Sequence, residues 1–377
     1  MKTKILIAPN AFKNSLSAIE VANVIKSVLD SLNLNLISEI APIADGGDGT
    51  IDILNFYFKK SKFVECSVHD PIGRNIKSKW LLLDNGTGVI ELAKASGISL
   101  LKEDELNPMW ANTFGTGELI LSALDKGCKK IIIALGGSAT VDAGLGLLQA
   151  FGVKIFDSKK HLIKAGGGFL LPIHEINFSS LDKRIKGVKM QVLCDVKIPL
   201  IGEKGTVNKF SVQKGTKEGE KIILENGMKH YSEIVKKITN NNYENESMVG
   251  AAGGVAFSLK ALLGAELFPG FLYIAKLILL EEKIKEADLI ITGEGNLDAQ
   301  TLMGKAVVEL AKLAKKYKKK VIAFCGTYDK SINWEKNGID HVIQVTPEDL
   351  SLTEAIENAT ELLQSAVKNN HELFINN

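Results

Sequence analysis

Two segments of this chain break from an apolar run into glycines, carboxylates and hydroxyls. The first is Ile131 to Leu135 followed by Gly136-Gly137-Ser138-Ala139-Thr140-Val141-Asp142-Ala143-Gly144. The second is Leu289-Ile290-Ile291 followed by Thr292-Gly293-Glu294-Gly295-Asn296-Leu297-Asp298, leading through Ala299 to Lys305. A continuous apolar run reads as a buried parallel strand, and open α/β sheets bind ligands beyond the carboxyl ends of such strands. Glycines there allow close backbone approach to a phosphate, and unpaired N–H groups attract anions. A carboxylate in the same turn adds a place for Mg²⁺ or for a proton. The combination points to phosphoryl transfer, although any one such turn also reads as an ordinary β-α connection.

Three further places carry candidate chemistry. Asp45-Gly46-Gly47-Asp48-Gly49-Thr50 sets two aspartates three residues apart among glycines, able to share a cation or orient a hydroxyl; Asp48 also reads as a helix N-cap. Cys194-Asp195-Val196 puts a carboxylate directly after an apolar strand, which suits a general base on a rigid element and equally a turn cap. Lys13 follows the first strand where a phosphate-binding lysine would sit, and it also reads as one of many surface lysines. No GxxxxGK[ST] loop occurs, no GxGxxG opens a first helix, and the protein-kinase motif set is absent. The aspartate spacing at 45–50 is wrong for an EF-hand. His69, His161, His174, His230, His341 and His371 form no cluster in sequence.

These residues need elements to hold them. Ile5 to Ala8 reads as a strand, followed by the polar turn Pro9-Asn10-Ala11-Phe12-Lys13-Asn14. Ser17-Ala18-Ile19-Glu20 has capping-box spacing, with Ile19, Ala22, Ile25 and Leu29 on one helical face. A strand near 37–43 leads to the 45–50 loop and a helix near 51–58. Short runs at 63–68, 78–83 and 88–92, separated by turn residues, predict antiparallel pairing. A helix opens at Gly115-Thr116-Gly117-Glu118, strands follow at 130–135 and 190–194, and Gly250 to Gly254 precedes another helix. The tail returns to alternation: strand 289–291, helix 304–317, strands 321–324 and 341–345, helix 353–367. Such alternation at both ends predicts an α/β fold. A parallel flavodoxin- or Rossmann-like sheet domain (1–62, 110–150 and 286–377) is interrupted by a second mixed α/β domain (63–109 and 151–285).

At 377 residues the chain is long for one core, and 45% hydrophobic with 24% charged residues is ordinary for a globular protein. A net charge of +2 gives no electrostatic case for a nucleic-acid partner. Arg74 and Arg184 are the only arginines, and of these Arg74 alone, in Asp70-Pro71-Ile72-Gly73-Arg74, sits in a turn setting. Cys66, Cys128, Cys194 and Cys325 show no metal or disulfide spacing. The first apolar run is too short for a signal peptide. The stretch 262–280 is broken by Gly264, Glu266, Pro269, Gly270 and Lys276, so no membrane span is expected and a cytoplasmic location is.

Taken in order, these blocks resemble the bacterial glycerate kinase family that builds a flavodoxin-like domain around an inserted domain. The resemblance rests on 8–18, Ala44 to Thr50, Asp70 to Arg74, Glu91 to Gly97, Asn112 to Glu118, Leu135 to Gly146, Cys194 to Val196, Gln213-Lys214-Gly215, Gly250 to Gly254 and Ile291 to Lys305. It covers essentially the whole chain. It implies ATP-dependent, Mg²⁺-assisted phosphorylation of D-glycerate, most often giving 2-phosphoglycerate. The chain departs from the family pattern at five positions. Asn10 stands where aspartate is commoner, Asn14 for glycine, Val141 and Ile198 for asparagines, and Asn296 for arginine. Two other readings stay open: a kinase for another small hydroxy acid, and a non-catalytic nucleotide- or acid-binding protein on the same scaffold. A homo-oligomer also stays open.

Phosphoryl transfer needs positioning, charge neutralisation and a proton acceptor. Asp195 is the first choice of base, with Asp45 second, and Lys13 or Lys305 would neutralise the transferring group. Gly115, Thr116, Gly117, Gly136, Gly137, Gly293 and Gly295 would offer backbone N–H groups to the nucleotide phosphates. Glu294 and Asp298 are the assigned Mg²⁺ ligands, with Asp45 and Asp48 also able to hold it. Arg74 or Lys214 would face the acceptor carboxylate, with Asp48 and Ser138 also on the substrate.

Overall fold

A computed structural model of the chain describes residues 2–32 and 34–374. It divides into two compact units, one of Met1–Asp45 with Phe271–Asn377 and one of Gly46–Gly270. Its strands are β1 (Thr3–Ile7), β2 (Leu36–Ile40), β3 (Lys62–His69), β4 (Asn75–Leu82), β5 (Thr87–Glu91), β6 (Lys130–Ala134) and β7 (Lys154–Phe156). They continue with β8 (Glu175–Asn177), β9 (Lys189–Cys194), β10 (Glu266–Pro269), β11 (Leu289–Leu297), β12 (Lys320–Tyr328) and β13 (His341–Gln344).

In the first unit five strands pair in the order β13-β12-β11-β1-β2, all parallel. Ile5, Leu6 and Ile7 register against Leu289, Ile290 and Ile291, so the two ends of the chain meet at the centre of one sheet. The helix Ala18–Ser31 packs on it. Ser17 and Glu20 form the expected capping box, and Val21, Ala22, Ile25, Val28 and Leu29 are buried with Ile5, Ile7, Ile322 and Phe324. Burying each such large aliphatic side chain stabilises the fold by roughly 1.5–3 kcal/mol.

The second unit carries a six-stranded sheet, β10-β9-β6-β5-β4-β3, and the small hairpin β7-β8. The strands β10, β9, β6 and β5 run parallel. β3, β4 and β5 pair antiparallel, as their alternating pattern and turn residues predict. The mixed α/β class expected from the sequence is therefore the class observed.

The domain limits differ from the expectation. β6 lies between β5 and β9, so 110–150 belongs with the second unit, as do 46–62, while 271–285 joins the first. A strand buried on both faces shows only an apolar run, and nothing in such a run names its partner strands. The ends of the expected first domain, at 1 and 375–377, lie outside the described residues. The last expected helix is split into Leu352–Glu357 and Ala359–Asn369. Asn358, at the break, donates through Nδ2 to the Glu354 carbonyl, so its side chain competes with the helix ladder.

Candidate active site

The order β2-β1-β11-β12-β13 reverses direction between β1 and β11, and a doubly wound sheet binds ligands beyond its strand ends at such a reversal. The segment that leaves β1 is tied there to β11, which runs on through the glycines expected to form a loop. Ala8 N donates to Ile291 O (2.7 Å), Asn10 N to Gly293 O (2.8 Å), and the Thr292 hydroxyl to Ala8 O (2.8 Å). A Cβ on Gly295 would sit 3.2 Å from Lys13 N, so the Lys13 loop lies directly against this glycine. Gly293 has a different role, since a Cβ there would come 2.0 Å from Phe324 O and it is needed for strand packing.

Glu294 is the buried carboxylate of this region, 6% exposed, and its Oε1 accepts from the Thr301 hydroxyl at 2.9 Å. Burial pushes its carboxyl up to about 7. Lys305, the Thr301 hydroxyl and Lys13 pull it back, and Asp45 pushes it further up. Lys13, Asp45, Glu294 and Lys305, placed far apart in sequence, are thus electrostatically one group. Asp298 is occupied otherwise. Its Oδ1 accepts from Gln300 N (2.8 Å) and Thr301 N (3.1 Å), and its Oδ2 from Asn296 Nδ2 (2.9 Å). Expected as a metal ligand, Asp298 instead caps its own turn.

In the second unit the carboxyl ends of β5, β6 and β9 carry the charged residues. Glu91 closes β5 at 1% exposure, and burial pushes its carboxyl up to about 7, with Lys94 chiefly opposing. Its Oε1 accepts from Ile51 N at 2.7 Å. Lys94 Nζ donates to Asp48 Oδ1 (2.9 Å) and lies 3.4 Å from Glu91 Oε2, without hydrogen-bond geometry there. The N-cap of the helix Thr50–Tyr57 is Gly49, at φ 90°, so Asp48 is not its cap and its carboxylate is committed to Lys94. Glu91 and Lys94 were not singled out as site residues in the sequence. Their signal would have been a charged pair three residues apart at the end of an apolar strand.

After β6, a Cβ on Gly136 would meet Gly47 Cα at 2.4 Å and Asp195 Oδ2 at 3.4 Å. That close approach brings the Asp195 carboxylate to the Gly136-Gly137 turn. Ser138 Oγ accepts from Lys214 Nζ at 2.7 Å, and the same amine donates to Thr140 O at 2.8 Å. Lys214 is 3% exposed; burial pushes its amine down to about 8, with Asp142 and Asp195 opposing. Asp142 is held by four donors, Thr113 N (2.9 Å), Thr113 Oγ1 (2.8 Å), Gly144 N (3.1 Å) and Gly146 N (3.1 Å). It organises the loop between β6 and the helix Leu145–Ala150.

Two expectations fail on geometry. Gly115, Thr116 and Gly117 lie buried in the helix Phe114–Asp125. A Cβ on Gly115 would come 1.8 Å from His69 O and one on Gly117 2.5 Å from Ala150 Cβ, while Thr116 Oγ1 bonds Ser96 Oγ at 2.7 Å. These glycines permit element packing rather than a phosphate cradle. Arg74 binds Asp70 through Nε, Glu105 through Nη1 (2.7 Å) and Leu100 O through Nη2 (3.1 Å), so its guanidinium braces its own turn.

Among the described residues no three His, Cys, Asp or Glu side chains converge as a metal cage. Mg²⁺ keeps several waters and takes one or two carboxylates beside substrate phosphates. Glu294, with Asp45 close enough to act on its charge, fits that mode of holding; Asp298, with three hydrogen bonds from its own turn, has one oxygen with room for a further contact.

The glycerate kinase family model matches residues 5–374. The chain belongs to the glycerate kinase family. It is similar to the glycerate kinase of Bacillus subtilis (strain 168), 37% identical over 97% of this chain and 96% of that one. It is 38% identical to the glycerate 2-kinase of Escherichia coli (strain K12), again over 97% of this chain and 96% of that one. A crystal structure described as a "putative glycerate kinase 2" from Salmonella typhimurium LT2 superposes with a TM-score of 0.82 at 34% identity, covering 99% of this chain and 98% of that one.

The five departures from the family pattern separate into two kinds. Asn14 adopts φ 62°, the left-handed conformation for which glycine is suited and which asparagine tolerates best among other residues. Asn10 Oδ1 accepts from Ala11 N at 2.9 Å, a turn contact that an aspartate would make equally. Asn296 bridges Asp298 and the Thr327 hydroxyl. Val141 and Ile198, by contrast, are buried apolar residues at 0% and 4% exposure, so those two changes bear on packing.

Proposed function

We propose that this chain is an ATP-dependent kinase that phosphorylates D-glycerate at its 2-hydroxyl, giving 2-phosphoglycerate, and that it works in the cytoplasm with Mg²⁺. The observation that carries this reading is the family match through residues 5–374, which takes in every loop described above. The charge arrangement around Glu294 supports it, because Lys305, Asp45 and Lys13, from separate parts of the chain, all act on that one carboxyl.

Phosphoryl transfer asks a protein mainly for positioning and charge neutralisation. Glu294 and Asp45 are the residues that would hold Mg²⁺, whose contribution is to neutralise charge on the phosphate oxygens. Lys13 and Lys305 balance negative charge beside Glu294, and Gly295, without a side chain, lets the Lys13 loop lie against this strand. Asp195 is the assigned acceptor of the hydroxyl proton, on the rigid end of β9, with Asp45 the second choice. Gly136 and Gly137 leave the loop beside Asp195 without side chains.

A coupled ADP-release assay with ATP and Mg²⁺ across a panel of small hydroxy acids and polyols tests the reading. Glycerate should give the highest kcat/KM, and phosphorus NMR of the product should show the ester at carbon 2. A tenfold preference for another acceptor, such as a sugar acid, would replace the substrate assignment. No turnover on any member would favour a binding protein.

A further inference from the structure

Lys214 is a buried ammonium group whose hydrogen-bond acceptors are neutral. An ammonium offers three hydrogens and no lone pair. Two of these go to Ser138 Oγ and Thr140 O, neither of which carries charge. The carboxylates of Asp142 and Asp195 both act on Lys214 through space, and that of Asp142 is already filled by four donors from its own loop. With an ordinary value of 10.5 lowered to about 8, Lys214 still carries its proton at neutral pH. A buried cation held by neutral acceptors is stabilised by an anion placed nearby.

The direction of these bonds says where such an anion is received. Since Lys214 can only donate, Ser138 Oγ must accept, and its own hydrogen is left to donate to something else. Among the described residues the amides of Gly137 and Ser138 have no hydrogen-bond acceptor. Gly137, at φ 77°, turns the backbone so that the loop after β6 presents these donors at the strand end. One hydroxyl and two successive amides, backed by a buried cation, form a small anion cradle. Asp195 Oδ2 lies at the same turn, 3.4 Å from where a Gly136 Cβ would stand.

We propose that the Gly137–Ser138 turn binds the carboxylate of the acceptor, and that Lys214 is the positioning residue that keeps the Ser138 hydroxyl oriented as a donor. The inference rests on the kinase reading above and adds the feature that selects an acidic acceptor over a neutral polyol. A carboxylate bound there would set the adjacent 2-hydroxyl beside the Asp195 carboxylate.

The test uses the full-length chain with Lys214→Met, which preserves the length of the side chain but not its charge, and Ser138→Ala, a minimal change that guards against misfolding of the first. The steady-state KM for glycerate, the KM for ATP and the kcat/KM for glycerol are measured for each, with calorimetric binding of glycerate in the absence of ATP. Loss of a charge-assisted hydrogen bond predicts a rise of about tenfold or more in the glycerate KM and calorimetric Kd. The KM for ATP and the kcat/KM for glycerol should stay within about twofold. A rise in the ATP KM with glycerate binding unchanged would show a phosphate site and overturn the proposal. Wild-type affinity for glycerate in a folded Ser138→Ala variant would overturn it also. Should the wild-type enzyme prefer a different hydroxy acid, the substrate assignment fails and the same ratios are read with that acid; a wild-type preference for a neutral acceptor overturns the carboxylate cradle itself.

Discussion

Replacing Glu294 by Gln should make the folded chain more stable above neutral pH while impairing catalysis. Glu294 is 6% exposed, and burial raises its carboxyl from the ordinary 4.5 to about 7 despite Lys305 and Lys13 nearby. The folded protein therefore holds this proton more tightly than the unfolded chain does. Stability contributed by the protonated form is fully present below pH 4.5 and is lost as pH rises through 7. The rise corresponds to about 3 kcal/mol, of which about 2 kcal/mol would survive relaxation of the site. Glutamine imitates the neutral acid and keeps an acceptor for the Thr301 hydroxyl. The variant should thus match the wild type at pH 5 and exceed it at pH 8 by roughly 2–3 °C in Tm. Thermal unfolding followed by circular dichroism between pH 5 and 8 reads the difference. Glu91 titrates in the same range in both proteins and so cancels from the comparison. At pH 8 kcat should drop by about 10²-fold, the scale of a lost charged catalytic contact. A glutamine variant that melts below the wild type at pH 8 would refute the electrostatic reasoning, and full activity would remove Glu294 from the site.

Asp195→Asn keeps shape and should lower kcat by about 10²-fold or more with the KM for ATP unchanged; earlier melting with near wild-type turnover would pass the base assignment to Asp45. Gly136→Ala puts a Cβ 2.4 Å from Gly47 Cα and should lower the denaturant midpoint, by about 1–3 kcal/mol in stability, with loss of activity. A neutral outcome would mean that the two loops can separate without cost. Arg74→Met should lower Tm, because the buried Asp70 loses its cation, yet leave the KM for glycerate within about threefold. A large KM effect with unchanged melting would return Arg74 to the substrate.

Much of this architecture could be read from the chain. The capping box at Ser17 and the alternation of 63–92 each rest on local rules, and each element formed as expected. The limits of the domains could not be read, because the buried run of β6 carries no mark of its neighbours. The site was legible as loops and poorly legible as roles. Asp298, Arg74 and Gly115 to Gly117 have the residue types of ligand-binding groups, and each is spent on a turn, a brace or a packing contact. Sequence gives the type of a side chain but not what already occupies it.

What distinguishes the remaining residues is that their burial works against their charge. Glu91 and Glu294 have raised carboxyls and Lys214 a lowered amine, in each case with burial as the leading cause. A fold selected only for stability would have little reason to keep three such buried groups, since a neutral isostere at each would raise stability. Perturbed ionisable groups of this kind gather at sites that perform chemistry. Val141 and Ile198 fit the same logic from the other side. Both are buried apolar residues, so what they contribute to these loops is packing and not charge.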